Sequence, residues 1–467
     1  MAGVGMSDAQ VGVRTPHQAP PGADSEEYAK SSPPLQTKSF DGRLIRAERY
    51  WLLAVARGLL FTEGRRQKLD FPNQIHATTK CKYIHRAQVK IMKSKEFDKA
   101  FFTGLVTCGS VWSCPACSVK IQERRRLEIA QGIDWAYENG LQPVMVTLTF
   151  PHTRWDSVQG LLDGQKEALT RLRKGAAWDR FKEYSGYEGL IRALELTFGD
   201  NGPHPHTHEL WFVSRDAVAD LSTDEARAFE AKKRGCSISD LDHLVDMKTE
   251  VIKRWETACR AAGMLDDDKV AAFRKHAVDV KGWCSASEYL AKMDDAKHWG
   301  IDRELAKASS KAGKAKGMHP FGLLAEAGEG NKKAGYRFVE YSMAVKGRAQ
   351  LFWSRGLKKR VGIVEKTDTE VAEEETDKAD LMSLLNDQDW ILIRSFGAHA
   401  KMLDAAEDGG WAGIQEALRV LRQMAAKIQP QAYSNLASEQ EGAKVLKTAQ
   451  LGDSRRRRRT QDAELTP

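Results

Sequence analysis

The chain has 467 residues, of which 42% are hydrophobic and 29% charged, with a formal net charge of +8. That is an ordinary soluble profile with a mild lean toward polyanionic partners. No run of about eighteen apolar residues offers a membrane span, and the N-terminal stretch lacks the apolar core of a signal peptide, so a cytoplasmic protein with no membrane partner is expected.

Residues 1 to 40 are rich in Pro, Ser, Gly and Ala and read as disordered. Residues 41 to 130 are mixed and basic and hold a cluster of cysteines. "VKIQERRRLEIAQGIDWAYENG" has the apolar stripe of a helix, with Gly140 suited to its end. A β-branched strand follows over 142 to 150, closed by Pro151, and then a long helical stretch over 156 to 186. "YEGLIRALELTFGDNG" and "HTHELWFVS" are two further strands, joined into a hairpin by a turn at Asp200-Asn201-Gly202. Helices are expected in "LDHLVDMKTEVIKRWETACRAAG" and "SASEYLAKM", the latter opened by a Ser285/Glu288 capping box.

Residues 301 to 318 read as a basic loop, and the folded pattern returns in "MHPFGLLAEAG" and "YRFVEYSMAVKGRAQLFWSRGLKKR". The acidic "EKTDTEVAEEETDKAD" reads as a linker or exposed helix, and residues 389 to 430 as a helical appendix. The polar tail from 431 carries Arg455 to Arg459, either a polyanion contact or a solvated end. The β-α-β-β order gives an α+β class: an antiparallel sheet flanked by helices, with a metal-binding cysteine cluster and a helical C-terminal region. The expected units are 1–40, 41–130, 131–365, a linker at 366–388, 389–430 and the tail 431–467.

Three constellations carry chemistry. Cys108, Cys114 and Cys117 have the C-x₅-C-x₂-C spacing of a structural zinc knuckle, with Cys81 the best fourth ligand and His85 competing for that place. In a cytoplasmic chain such a cluster favours metal over disulfides. His206 and His208 alternate along a strand and share one face, with His204 at the hairpin edge and Glu195 on the neighbouring strand. Two imidazoles and a carboxylate suit Mg²⁺, Mn²⁺ or Zn²⁺ and leave open positions for substrate oxygens. Tyr289, near a helix start with Lys292 one turn on, is a candidate nucleophile for a phosphodiester, the ammonium offsetting phosphate charge.

Taken in order, the cysteine cluster, "MVTLTFPH", "GPHPHTHELWFV", "YLAKM", "HPFGLL" and "LFWSRGLK" resemble the replication initiators of rolling-circle plasmids, within the HUH endonuclease group. The middle position of the histidine motif differs: it is Thr207 instead of a bulky apolar residue. The resemblance implies a nicking enzyme of an HUH-like fold that cuts one strand at a double-strand origin. Tyr289 would be the nucleophile, forming a 5′-phosphotyrosine and freeing a 3′-OH primer. His206, His208 and Glu195, with His204 less certain, would hold Mg²⁺ or Mn²⁺. Origin DNA, single- and double-stranded, and the host helicase and polymerase are the implied partners. Some members carry a glutamate four residues before the tyrosine; here that position is Ser285, and Glu288 is adjacent to the tyrosine but about 100° round the helix. The alternatives are a single-tyrosine transposase or relaxase, a non-catalytic zinc-bearing DNA-binding regulator, and a metal hydrolase of small substrates, which the basic segments disfavour.

Overall fold

Two hydrophobic faces of one central sheet organise the chain. The structure is a computed structural model and describes residues 42–70, 73–219, 221, 223–281, 317–374 and 379–427. The expected helix over "SASEYLAKM" and nearly all of the basic loop at 301–318 lie outside those residues.

A long helix, α1 (Gly42–Arg66), leads into a hairpin of β1 (His85–Ser94) and β2 (Ala100–Leu105), then α2 (Pro115–Glu138). The central segment runs β3 (Leu141–Leu148), α3 (Val158–Leu172), α4 (Ala176–Ser185), β4 (Gly189–Gly199) and β5 (Gly202–Ser214). After it come β6 (Val218–Ala219), α5 (Asp224–Arg234), β7 (Val245–Asp246), α6 (Met247–Ala261), α7 (Val270–His276) and β8 (Val278–Lys281). The last described part contains α8 (Pro320–Gly328), α9 (Lys332–Ala344), β9 (Leu351–Trp353), α10 (Leu357–Val361), α11 (Asp368–Glu373), β10 (Ala379–Leu384), α12 (Asp387–Ser395) and α13 (His399–Lys427).

The main sheet has five strands in the order β8-β3-β5-β4-β9, every neighbouring pair antiparallel. A second, three-stranded antiparallel sheet has the order β10-β1-β2, and β6 and β7 form a small parallel pair. The α+β class with antiparallel sheets flanked by helices is therefore present.

Alternation along β5 divides the core. Trp211 and Val213 face α3, α4 and α6, joining Val144, Val146, Leu169, Phe181 and Trp255. Leu210 and Phe212 face the other way, joining Ile129 and Ile133 of α2 with Trp353 and Leu357. Each fully buried side chain of this size contributes about 2 to 3 kcal/mol relative to exposure.

The structure departs from the sequence reading in several elements. The helical stretch over 156–186 is two helices, because Gly175 adopts φ 81°, a left-handed value that no helix interior accepts. The helix expected from Leu241 starts at Met247, after a 3₁₀ turn (Ile238–Leu241) and the β7 strand. The acidic segment forms α11, opened by a Thr367/Glu370 capping box with Val371 buried against the core, and β10 (Ala379–Leu384) follows. The C-terminal helices are not an appendage: Trp390, Met402 and Leu418 share a core with Val89, Ile91 and Phe102 of the β1-β2 hairpin.

The β4-β5 turn sets the register of everything below. Gly199 pairs with Gly202, leaving Asp200 and Asn201 at the tip. Gly202 has φ 91°, and a Cβ there would fall 2.7 Å from the Arg154 Cα. Gly202→Ala should cost about 2 kcal/mol, read as a lower urea midpoint with an unchanged slope. An unchanged midpoint contradicts this account of the turn.

Candidate metal centres

Cross-strand register builds the first centre. Glu195 on β4 lies directly opposite His206 on β5, and Ala193 opposite His208. The side chains of 195, 206 and 208 share one face, while Thr207 between the histidines points into the opposite core and is fully buried. The alanine leaves room for His208 to lean toward the carboxylate. The Nε2 atoms of both His206 and His208 lie 3.2 Å from Glu195 Oε2.

The outer nitrogens orient these rings. His208 Nδ1 is 3.0 Å from Thr147 Oγ1, on the strand paired to its other side. His206 Nδ1 lies 3.2 Å from the His204 carbonyl and donates to it, which leaves Nε2 as the ligating nitrogen. A lone pair aimed at a carboxylate oxygen needs a proton or a cation between them. Burial works to raise the Glu195 carboxyl, but its hydrogen bonds to His206 and His208 prevail and hold it well below the usual carboxylate range. Burial lowers His206, and the Glu195 carboxylate more than offsets this, so its net shift is upward.

The spacing fits a cation. Two ligands about 2.1 Å from one ion lie roughly 3.0 to 3.4 Å apart for octahedral to tetrahedral angles, which brackets the separations seen. Glu195 Oε1 is buried with no hydrogen-bond partner among the described residues. The three residues can therefore hold a metal ion.

His204, read as a further ligand, is not part of this group. It shares the face but lies one pair closer to the turn, opposite Thr197, and its Nδ1 is 2.7 Å from Nε2 of His152. Burial lowers His204 to about 4, so it is neutral near pH 7, and burial lowers His152 as well. His152 was not singled out in the sequence; the signal was its position just past β3, after Pro151.

The second centre is made of thiols. Cys114 is the N-cap of α2 with Pro115 at its first position, so Cys117 sits in the first helical turn, where the dipole favours thiolates. Cys81 Sγ lies 3.5 Å from both Cys114 Sγ and Cys117 Sγ, and Cys108 Sγ is 3.7 Å from Cys117 Sγ. A tetrahedral ion with 2.3 Å bonds separates sulfurs by about 3.8 Å, close to this set. Hydrogen bonds from Cys108, Cys114 and Cys81 hold the Cys117 thiol far down, while burial pushes Cys114 up. Arg57 of α1 donates to the Thr79 and Cys81 carbonyls, fixing the first ligand's loop. His85 is not a competitor: its Nε2 faces Asp387 at 3.6 Å. The four cysteines can hold a metal ion.

Tyr289, Lys292 and Glu288 lie outside the described residues. Among those described, no helix is long and apolar enough to cross a membrane.

The chain is 28% identical over 304 residues to "Protein rep" of Streptomyces lividans, covering 56% of this chain and 64% of that protein. It is 34% identical over 135 residues to a neomycin resistance protein of Streptomyces cyanogenus, covering 24% of this chain and 31% of that protein. The chain thus spans less than two thirds of the length of these curated relatives. No family model matches it, and no solved structure does. The likeness to Rep proteins read from the order of the motifs agrees with the first of these matches.

Elemental analysis of freshly purified, reduced protein should find about one tightly bound divalent metal per chain at the thiol centre. Cys114→Ser should strip that metal and destabilise the fold by at least about 3 kcal/mol. Metal-free wild-type protein of full stability contradicts the assignment.

Proposed function

We propose that the chain is a replication initiator of the HUH type that nicks one DNA strand at a double-strand origin. The observation that carries this reading is the convergence of His206 and His208 on the Glu195 carboxylate, beside the similarity to a Rep protein. A Mg²⁺ or Mn²⁺ ion held there would polarise the scissile phosphodiester. The thiol centre takes Zn²⁺ as a closed structural site, with no open position for substrate.

Tyr289 is the proposed nucleophile. Its oxygen bonds to phosphorus and its proton passes to solvent, the bond from phosphorus to the 3′ oxygen breaks, and the leaving 3′ oxygen takes a proton from solvent. The products are a 5′-phosphotyrosine and a 3′-OH primer. Lys292 offsets charge on the phosphate, and Glu288 is the nearest carboxylate in sequence for the later proton transfers. Support comes from the flanks of this segment. Lys281 pairs with Met145 on β3, and Met318 bridges Phe198 on β4, so the chain leaves and rejoins the sheet that carries the histidines. Tyr289 follows Lys281 by eight residues, a reach of up to about 28 Å. Tyr341 offers no competing nucleophile, because it is buried and its hydroxyl donates to the Trp112 carbonyl at 3.2 Å. The proposed partners are origin DNA and the host helicase and polymerase.

The test is nicking of a supercoiled plasmid bearing the chain's own origin. Wild type should nick with Mg²⁺ or Mn²⁺, fall silent with chelator and form a covalent adduct. Tyr289→Phe should lose nicking and adduct by at least about 10³-fold while keeping DNA binding. His206→Ala with His208→Ala should lose metal-dependent cleavage. Adducts on another tyrosine, or a double histidine variant that nicks normally, contradict the proposal.

A further inference from the structure

On the layer opposite the histidines, α3, α4 and α6 enclose an open cleft of about 560 Å³. Arg171, Lys174, Arg180, Lys253 and Arg254 line it, against one carboxylate, Glu250. That carboxylate is already engaged: Arg254 pairs with it at 2.6 Å and the Tyr184 hydroxyl donates to it at 3.1 Å. Arg171 is shared with Glu167 of its own helix at 2.7 Å. Lys174, Arg180 and Lys253 are exposed, and no ion pair or hydrogen bond among the described residues takes up their side-chain charge.

Three unmatched cations brought together from the turn after α3, the middle of α4 and the middle of α6 repel one another. Such a grouping favours an extended polyanion over a single buried anion, since the cleft is open and its cations come from separate segments. The lining also indicates which polyanion. Stacking of unpaired bases needs a free aromatic face. The one aromatic lining the cleft, Tyr184, is held at its hydroxyl by Glu250 and by Arg254 at 3.0 Å, and its ring makes a T-shaped contact with Phe181. One anchored ring is not a run of faces for successive bases, so the cleft is suited to contact phosphates.

We infer that this cleft binds the phosphodiester backbone of a DNA duplex, without regard to base sequence, on the face of the sheet opposite the Glu195-His206-His208 group. The cations position DNA, and they are separate from the groups assigned to the nicking chemistry. This inference does not rest on that chemistry, because the charge arrangement would bind a duplex whether or not the chain cleaves it.

The experiment uses the full chain and a fluorescent 20-base-pair duplex (~20 bp, one site's worth of phosphates) lacking the origin sequence, titrated at several KCl concentrations. The triple variant Lys174→Glu, Arg180→Glu, Lys253→Glu should bind at least about tenfold more weakly, and its log-log salt slope should be shallower by about 2 to 3. The charge-keeping variant Lys174→Arg, Arg180→Lys, Lys253→Arg should bind as wild type, which separates loss of charge from loss of fold. Nicking of a short single-stranded substrate by the charge-reversed variant should be unchanged. If wild type does not nick that substrate, the proposed function fails and the duplex titration still reads the cleft. Unchanged duplex affinity and slope in the charge-reversed variant, or a loss confined to single-stranded DNA, overturns the inference.

Discussion

The register of β4 against β5 is the constraint on which the rest of the molecule depends. A pairing slip of one residue would turn His206 and His208 into the core and bring Thr207 out. The register is held from both sides of the sheet at once. Trp211 and Val213 are buried among α3, α4 and α6, and Leu210 and Phe212 among α2 and the β9-α10 segment. Either set alone would resist a slip, and together they leave Glu195 opposite His206 as the one pairing that buries both faces.

That arrangement concentrates unfavourable electrostatics in one place. Glu195 is only 6% exposed, and a buried carboxylate is tolerated when cations or donors surround it. Two imidazoles aimed at one of its oxygens supply the donors, and an ion placed among the three would satisfy all of them. The thiol centre solves the same problem with different chemistry. Its four sulfurs are packed into a core with Leu52, Phe338 and Val371, so the α1, α8-α9 and α11 elements are tied together around it. One centre is enclosed in a core. The other lies on the exposed end of the β4-β5 face, with His206 and His208 partly exposed.

Much of this was legible in the sequence because it depends on short-range periodicity. Alternation placed His206 and His208 on one face, and the Asp200-Asn201 turn brought Glu195 beside them. The C-x₅-C-x₂-C spacing marked three thiols with Cys81 as the best fourth, and the structure adds why His85 stays out: Arg57 clamps the Cys81 loop from another helix, while His85 faces Asp387. His152 and the β1-β2-β10 sheet were not legible. The first meets His204 through the fold of a loop, and the sheet pairs strands almost 300 residues apart, such as Lys90 with Leu384. The helical region at 389–430 read as an appendix because its apolar face gives no sign of which strands it covers. The break at Gly175 was written in the sequence, but a lone glycine inside an apolar periodicity does not announce a positive φ.

The central claim is that Glu195, His206 and His208 form one metal site. Titrating Mn²⁺ into the full chain, followed by loss of the free-ion paramagnetic resonance signal, tests it without reference to any activity. The account predicts one saturable site in wild type, and at least about tenfold weaker binding in Glu195→Gln and in His206→Ala, with the thiol-bound metal retained in both. Equal Mn²⁺ affinity in wild type and both variants would contradict it.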